Sequence, residues 1–128
     1  ITNVDRTFKN VNLLAWHRDL WLIDHGAALY FHHSWDNWEA QAKSPFSLIK
    51  DHVLLSKATM LADTDAECRT EDKIRTVVAL IPDAWLQWDN TDQTPDALRE
   101  VYCQFLLTRL QHSDIFTKKA QDEREALV

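Results

Sequence analysis

Residues 3–26 read Asn-Val-Asp-Arg-Thr-Phe-Lys-Asn-Val-Asn-Leu-Leu-Ala-Trp-His-Arg-Asp-Leu-Trp-Leu-Ile-Asp-His-Gly. The first third is a polar loop, because Asn3, Asp5, Thr7 and Asn10 favour turns and the apolar residues between them follow no helical period. Leu13–Trp16 and Leu20–Ile23 are two short runs of large apolar side chains parted by His17-Arg18-Asp19, the pattern of a β-hairpin. Asp24 follows the second run, and Gly26 offers a φ that other residues avoid, so the chain is expected to turn out of the hairpin there. The stretch thus places a carboxylate and a carboxamide in a polar loop, then the hairpin, then a second carboxylate at its exit.

The rest of the chain bounds what this stretch can do. With 128 residues, 45% of them hydrophobic, it suits one domain with its own core, and six Trp, five Phe and two Tyr supply much of the apolar area. A net charge of −6 and the lack of a basic stripe argue against nucleic acid as the main partner. The apolar run Val77–Ile81 is far too short to cross a bilayer, and the N-terminal residues lack a signal-peptide pattern, so no membrane partner and a cytoplasmic location are expected. Cys68 and Cys103 are far apart and show no metal-ligand spacing, which suits free thiols in a reducing compartment. One glycine, Gly26, cannot build a phosphate-cradling glycine-rich loop.

Beyond the hairpin the patterns are helical. Ala27–His33 is rich in aromatics and histidine, and Ser34 is placed to cap a short turn through Asp36, Trp38 and Glu39. Phe46–Ala58, after Pro45, reads as an amphipathic helix with Leu48, Ile49, Val53 and Leu54 facing a core. Residues 62–70 read as a loop. Thr70 caps a helix of about a dozen residues with Glu71 and Asp72 in its first turn, ending near Pro82. Thr94-Pro95 starts the clearest helix, 95–111, in which Leu98, Val101, Tyr102, Phe105, Leu106 and Leu110 recur at i, i+3, i+4 and i+7. Ser113–Glu125 reads as a last, partly frayed helix, and Trp35, Trp38, Trp85 and Trp88 as core residues.

Phosphoryl transfer asks for a carboxylate to orient the acceptor hydroxyl and oxygen ligands to hold Mg²⁺ on the nucleotide phosphates. Asp5, Asn10 and Asp24 have the order of such a set, with Asn10 five residues after Asp5 and Asp24 beyond a hairpin. The run Asp5-Arg-Thr-Phe-Lys-Asn10, with Leu13-Leu14 in the following strand, resembles the Asp-x-x-x-Lys-Asn loop of the HipA-like kinases. Asp24-His25-Gly26 resembles the Asp-Phe-Gly metal motif, phosphatidylinositol kinases show a similar order, and the run as far as Phe31-His32-His33 is similar to a bacterial HipA-like subfamily. The resemblance implies a mainly α chain with a small N-terminal β-hairpin, the C-terminal lobe of a protein-kinase-like fold. In it 1–33 would carry the catalytic loop, hairpin and metal motif, and 34–128 the helical body. It further implies Asp5 as catalytic base, Asn10 and Asp24 as ligands of Mg²⁺ on ATP, and a protein Ser/Thr hydroxyl as acceptor. Lys9 and Arg6 are weaker substrate or phosphate contacts, Arg6 being able instead to pair with a carboxylate in the loop, and Asn12 resembles a loop-closing amide. An N-terminal lobe would supply the glycine loop and ATP-anchoring Lys. Without it the chain is expected to be inactive and prone to self-association.

His17-Arg18-Asp19-Leu20 spells a protein-kinase catalytic loop, but that motif needs Asn where Asp24 stands, and its loop positions would be the apolar Trp21, Leu22 and Ile23. It reads as the hairpin turn. Two other function classes remain. One is a non-catalytic interaction module derived from a kinase lobe. The other is a metal hydrolase using His25, His32, His33 and Asp36, although adjacent histidines on a strand point to opposite faces.

Overall fold

In the computed structural model residues 3–33, 35–57, 70–87 and 92–127 are described. These residues are mainly helical, with one two-stranded antiparallel hairpin among them. The chain divides into two compact units, residues 1–60 with 112–128, and residues 61–111.

The first unit holds the opening loop, the hairpin and the last helix. Strand β1, Leu13–Trp16, pairs with β2, Asp19–Leu22, so that Leu13 faces Leu22, Leu14 faces Trp21, Ala15 faces Leu20 and Trp16 faces Asp19. The turn is the pair His17-Arg18, with φ of 50° and 73°. Both residues are left-handed, as a type I′ turn requires if it is to match the strand twist. Gly26 has no positive φ, contrary to the sequence expectation; the left-handed residue at the hairpin exit is Asp24, with φ 52°. Gly26 instead begins a 3-10 segment, Gly26–His33, followed by a 3-10 turn at Trp35–Asn37 and helix α1, Trp38–Ala42. Ser34, expected as a cap, lies outside the described residues.

The amphipathic helix expected over Phe46–Ala58 is replaced by two 3-10 turns, Ser47–Asp51 and Leu55–Lys57. They are parted at His52, whose backbone is extended and pairs with Thr7, while the Val53 amide donates to the Arg6 carbonyl at 3.2 Å. Pairing with the opening loop thus competes with the helix and wins. The change of period moves the buried position to Leu55, 4% exposed, and leaves Leu48 and Leu54 on the surface. Helix α4, Ser113–Glu125, packs against both turns. Phe31, Ala42 and Leu55 are this unit's buried apolar side chains among the described residues.

In the second unit α2, Glu71–Val78, packs on α3, Pro95–Gln111. Both start as their sequences dictate, the Thr70 hydroxyl accepting from the Lys73 amide at 3.4 Å and the Thr94 hydroxyl from the Ala97 amide at 3.2 Å. Helix α2 is shorter than expected, because turns over Ala79–Ile81 end it before Pro82. Leu98, Tyr102 and Phe105 are buried as the periodicity requires, joined by Val78, Leu86 and Cys103. Arg75 spans the helices, with Glu71 on its own turn and both oxygens of Glu100 on α3. Trp85, expected in the core, is 76% exposed, Trp35 and Trp38 are half-buried, and Trp88 lies outside the described residues. Cys103 is a free thiol; Cys68 also lies outside them. No helix among the described residues is long and apolar enough to cross a membrane.

Candidate functional site

The opening loop closes on itself. The Thr7 amide donates to the Asn10 carbonyl at 3.0 Å and the Asn10 amide to the Thr7 carbonyl at 3.1 Å, with the Thr7 hydroxyl accepting from the Lys9 amide at 3.3 Å. Serine and threonine hydroxyls stabilise turns in this way. The closure brings Asn10 back over Asp5, whose Oδ2 accepts from Asn10 Nδ2 at 3.0 Å while its Oδ1 accepts from Asn12 Nδ2 at 3.2 Å. Each carboxylate oxygen therefore has one fixed amide donor and keeps a free lone pair. With its amino group committed to Asp5, the Asn10 carboxamide turns its oxygen away, and Oδ1 has no partner among the described residues.

Asp24 sits on the adjoining segment. Asn3 Nδ2 donates to the Asp24 carbonyl at 3.0 Å and the Arg6 guanidinium to the Ile23 carbonyl at 3.1 Å. The Ile23 amide donates to the Asn12 carbonyl at 3.1 Å, closing the open end of the hairpin. Side chains on either side of Asp5 in sequence thus hold two consecutive carbonyls at Asp24. Among the described residues the Asp24 carboxylate accepts only from the Gly26 amide, at a long 3.4 Å, so it remains an available anionic ligand.

Arg6 and Asn3 are buried, 7% and 9% exposed, and the Arg6 Nε and Asn3 Oδ1 lack partners among the described residues. No carboxylate pairs with Arg6 among the described residues. Lys9 is exposed and equally unpaired there. The sequence marks Asn3 only as a turn former and Asn12 only as a loop-closing amide, not as groups that hold the site. Only the polar density of 3–12 signalled them, since a bond across 21 residues to a main-chain carbonyl leaves no local pattern.

The histidines are placed differently. His25 Nε2 donates to the Leu22 carbonyl at 3.1 Å, which fixes the proton on that nitrogen. His32 stacks on Trp35 at 5.6 Å between ring centroids. Among the described residues no three His, Cys, Asp or Glu side chains gather as a metal site. Half-buried His52, beside the loop, has its pKa lowered first by burial and then by the Arg6 charge.

Every non-glycine residue with positive φ among the described residues, Asn12, His17, Arg18 and Asp24, lies in this stretch. Such residues cluster where surrounding structure holds the backbone in place, as active sites do. Family models, curated proteins and solved structures returned no match to this chain.

Proposed function

We propose that the chain is the C-terminal lobe of a HipA-like, ATP-dependent phosphotransferase acting on a protein Ser/Thr hydroxyl. In this reading Asp5 would orient and deprotonate the acceptor hydroxyl, while Asn10 Oδ1 and the Asp24 carboxylate would hold the Mg²⁺ that accompanies ATP. The observation that supports it best is the pair of amide bonds on Asp5. They fix the carboxylate, leave it unblocked, and turn the Asn10 oxygen outward as a neutral ligand. Mg²⁺ is ordinarily held by one or two carboxylates with phosphate oxygens and water completing the octahedron, so one aspartate and one amide oxygen suit a metal that arrives with its nucleotide. Bound there, Mg²⁺ would neutralise charge on the transferring phosphoryl group. Exposed Lys9 is free to approach the same phosphates, whereas Arg6 acts from behind the site. An N-terminal lobe outside these residues covers the phosphates, and this lobe is inactive by itself. The test is phosphate transfer from ATP by the full-length gene product with and without Asp24→Asn. Transfer lost with the variant is expected; equal transfer by both refutes the role of Asp24.

A second reading, a non-catalytic interaction module, is favoured by the hairpin surface. Leu14, Trp16 and Trp21 occupy one face and Leu20 and Leu22 the other, all between 47% and 60% exposed. An antiparallel sheet open to water keeps one face polar, so two apolar faces ask for cover from an N-terminal lobe, another protein or a second copy. A tight partner complex with no phosphate transfer would select this reading.

A further inference from the structure

We infer that Arg6 is a positioning residue for Asp24: its guanidinium, bonded to the Ile23 carbonyl, fixes the segment that presents the Asp24 carboxylate to a divalent cation. The inference rests on the metal-nucleotide reading above. Arg6 is 7% exposed and, among the described residues, its single side-chain bond is the one to Ile23 O at 3.1 Å. A buried guanidinium without a carboxylate is expensive, and an apolar side chain of similar length fills the same space at less cost. Packing alone therefore gives no reason for arginine here, and the reason is sought in what it holds.

It holds the peptide immediately before Asp24, a residue in the left-handed region at φ 52°. The choice of acceptor matters. A guanidinium on the Asp24 carboxylate would neutralise the ligand and occupy its oxygens, whereas a guanidinium on the preceding carbonyl places the carboxylate and leaves its charge for a cation. The Arg6 main chain is anchored as well. Its carbonyl accepts from Val53 N at 3.2 Å, and Thr7 next to it bridges to His52. Arg6 thereby ties the hairpin exit, the opening loop and segment 52–53 together. Outer-shell groups of this kind ordinarily tune metal affinity about 10- to 100-fold.

The test is binding of Mn²⁺ with a saturating non-hydrolysable ATP analogue to the full-length gene product, read by electron paramagnetic resonance with Mg²⁺ competition, for the wild type, Arg6→Met and Arg6→Lys. Arg6→Met should weaken Mn²⁺ about tenfold or more at unchanged helical circular dichroism, and Arg6→Lys, which keeps one cationic donor for the Ile23 carbonyl, should restore most of it. Full Mn²⁺ affinity in Arg6→Met overturns the inference and leaves the reading of Asp24 intact. A wild type that binds no Mn²⁺, or binds it equally as Asp24→Asn, overturns both. Should Arg6→Met fail to fold, amide exchange in the wild type decides. Saturating Mg²⁺ should slow the Ile23 and Val53 amides together, and slowing confined to residues 23–26 overturns the tie through Arg6.

Discussion

The hairpin turn is built from residues that resist its geometry, and replacing them should stabilise it measurably. His17 and Arg18 hold φ of 50° and 73°, and a left-handed conformation costs an ordinary L-residue about 1 kcal/mol or more. In His17→Asn/Arg18→Gly, asparagine tolerates that region and glycine has no penalty there, so about 2 kcal/mol of strain is relieved. Two terms oppose it. The new glycine loosens the unfolded chain by about 0.4–1 kcal/mol. The edge-on contact between the His17 and Trp16 rings, at 4.8 Å, is lost, worth about 0.5 kcal/mol at this exposed position. The net gain is about 0.5–1 kcal/mol, a two- to five-fold rise in protection by the exponential relation of free energy to population. Amide hydrogen exchange over Leu13–Trp16 and Asp19–Leu22 reads it directly, because an isolated two-stranded hairpin opens locally rather than with the whole fold. Mn²⁺ binding should not change, since the turn lies at the opposite end of the hairpin from the Asn12–Ile23 bond. Protection that falls or stays level would show that left-handed strain is not what limits the hairpin.

At Asp24, Asp24→Asn keeps a side chain suited to φ 52° and the acceptor for the Gly26 amide, so its urea midpoint should stay near wild type. Asp24→Ala loses both and should be about 1 kcal/mol less stable, and the reverse order of the two midpoints would argue against a strained position. For His52, a folded pKa below the unfolded value of 6.5 means the unfolded chain binds more protons once the pH drops below that value. Its contribution is therefore intact above about pH 6.5 and lost progressively as the pH falls toward the lowered folded pKa. His52→Asn, whose oxygen can take over the bond from the Leu54 amide to Nδ1, should lose less stability between about pH 7.5 and 5 than the wild type, and parallel urea midpoints would refute this. In the second unit, Leu98→Ala removes a side chain 1% exposed and should cost about 2–5 kcal/mol in chemical denaturation; a loss below 1 kcal/mol would mean the site is not tightly packed.

The sequence was most readable where one local rule was enough. Thr70 and Thr94-Pro95 announce their helices because capping is a bond between near neighbours, and α3 shows its core at Leu98, Tyr102 and Phe105 because the helix repeats. The hairpin was legible to within a residue, and so was the turn hidden in its kinase-like spelling. Failures arose where distant segments intervene. The Thr7–His52 pairing ends a helix that the Phe46–Ala58 pattern supports, and Leu55 takes the inside position. Gly26 was credited with a conformation that Asp24 adopts, because side chains at residues 3 and 6 hold carbonyls near residue 24, and no window around Gly26 contains them. At the site the chemical types and their order were visible, but not the arrangement that places the Asn10 and Asn12 amides on one carboxylate.

Three departures from the ordinary rules of folding coincide in residues 3–26. Backbone strain sits at Asn12, His17, Arg18 and Asp24; buried polar atoms lack partners among the described residues at Asn3 and Arg6; and large apolar side chains face water from Leu14 to Ile23. Each is a cost of about 1 kcal/mol or more, and stability alone supplies no reason to keep any of them. Residues 95–125 differ in two of the three, forming regular helices with no left-handed residue and no large apolar side chain facing water, and carrying ion pairs at i, i+3 and i, i+4, although Arg99 Nε and Arg124 Nε are buried there without a partner among the described residues. Local agreement is what folds a chain, and local disagreement persists where another requirement overrides it. Asn12 bonds to Asp5, and Asn3 and Arg6 hold the carbonyls of Asp24 and Ile23, whereas His17, Arg18 and the exposed apolar groups lie on the hairpin between the two aspartates. In the reading proposed above, holding a charged ligand beside a surface that another body covers accounts for the groups at the aspartates and on the strands. That proposal couples the hairpin surface to Asp24: a partner seated on the hairpin should strengthen Mn²⁺ binding at Asp24, and metal should tighten the partner by the same factor.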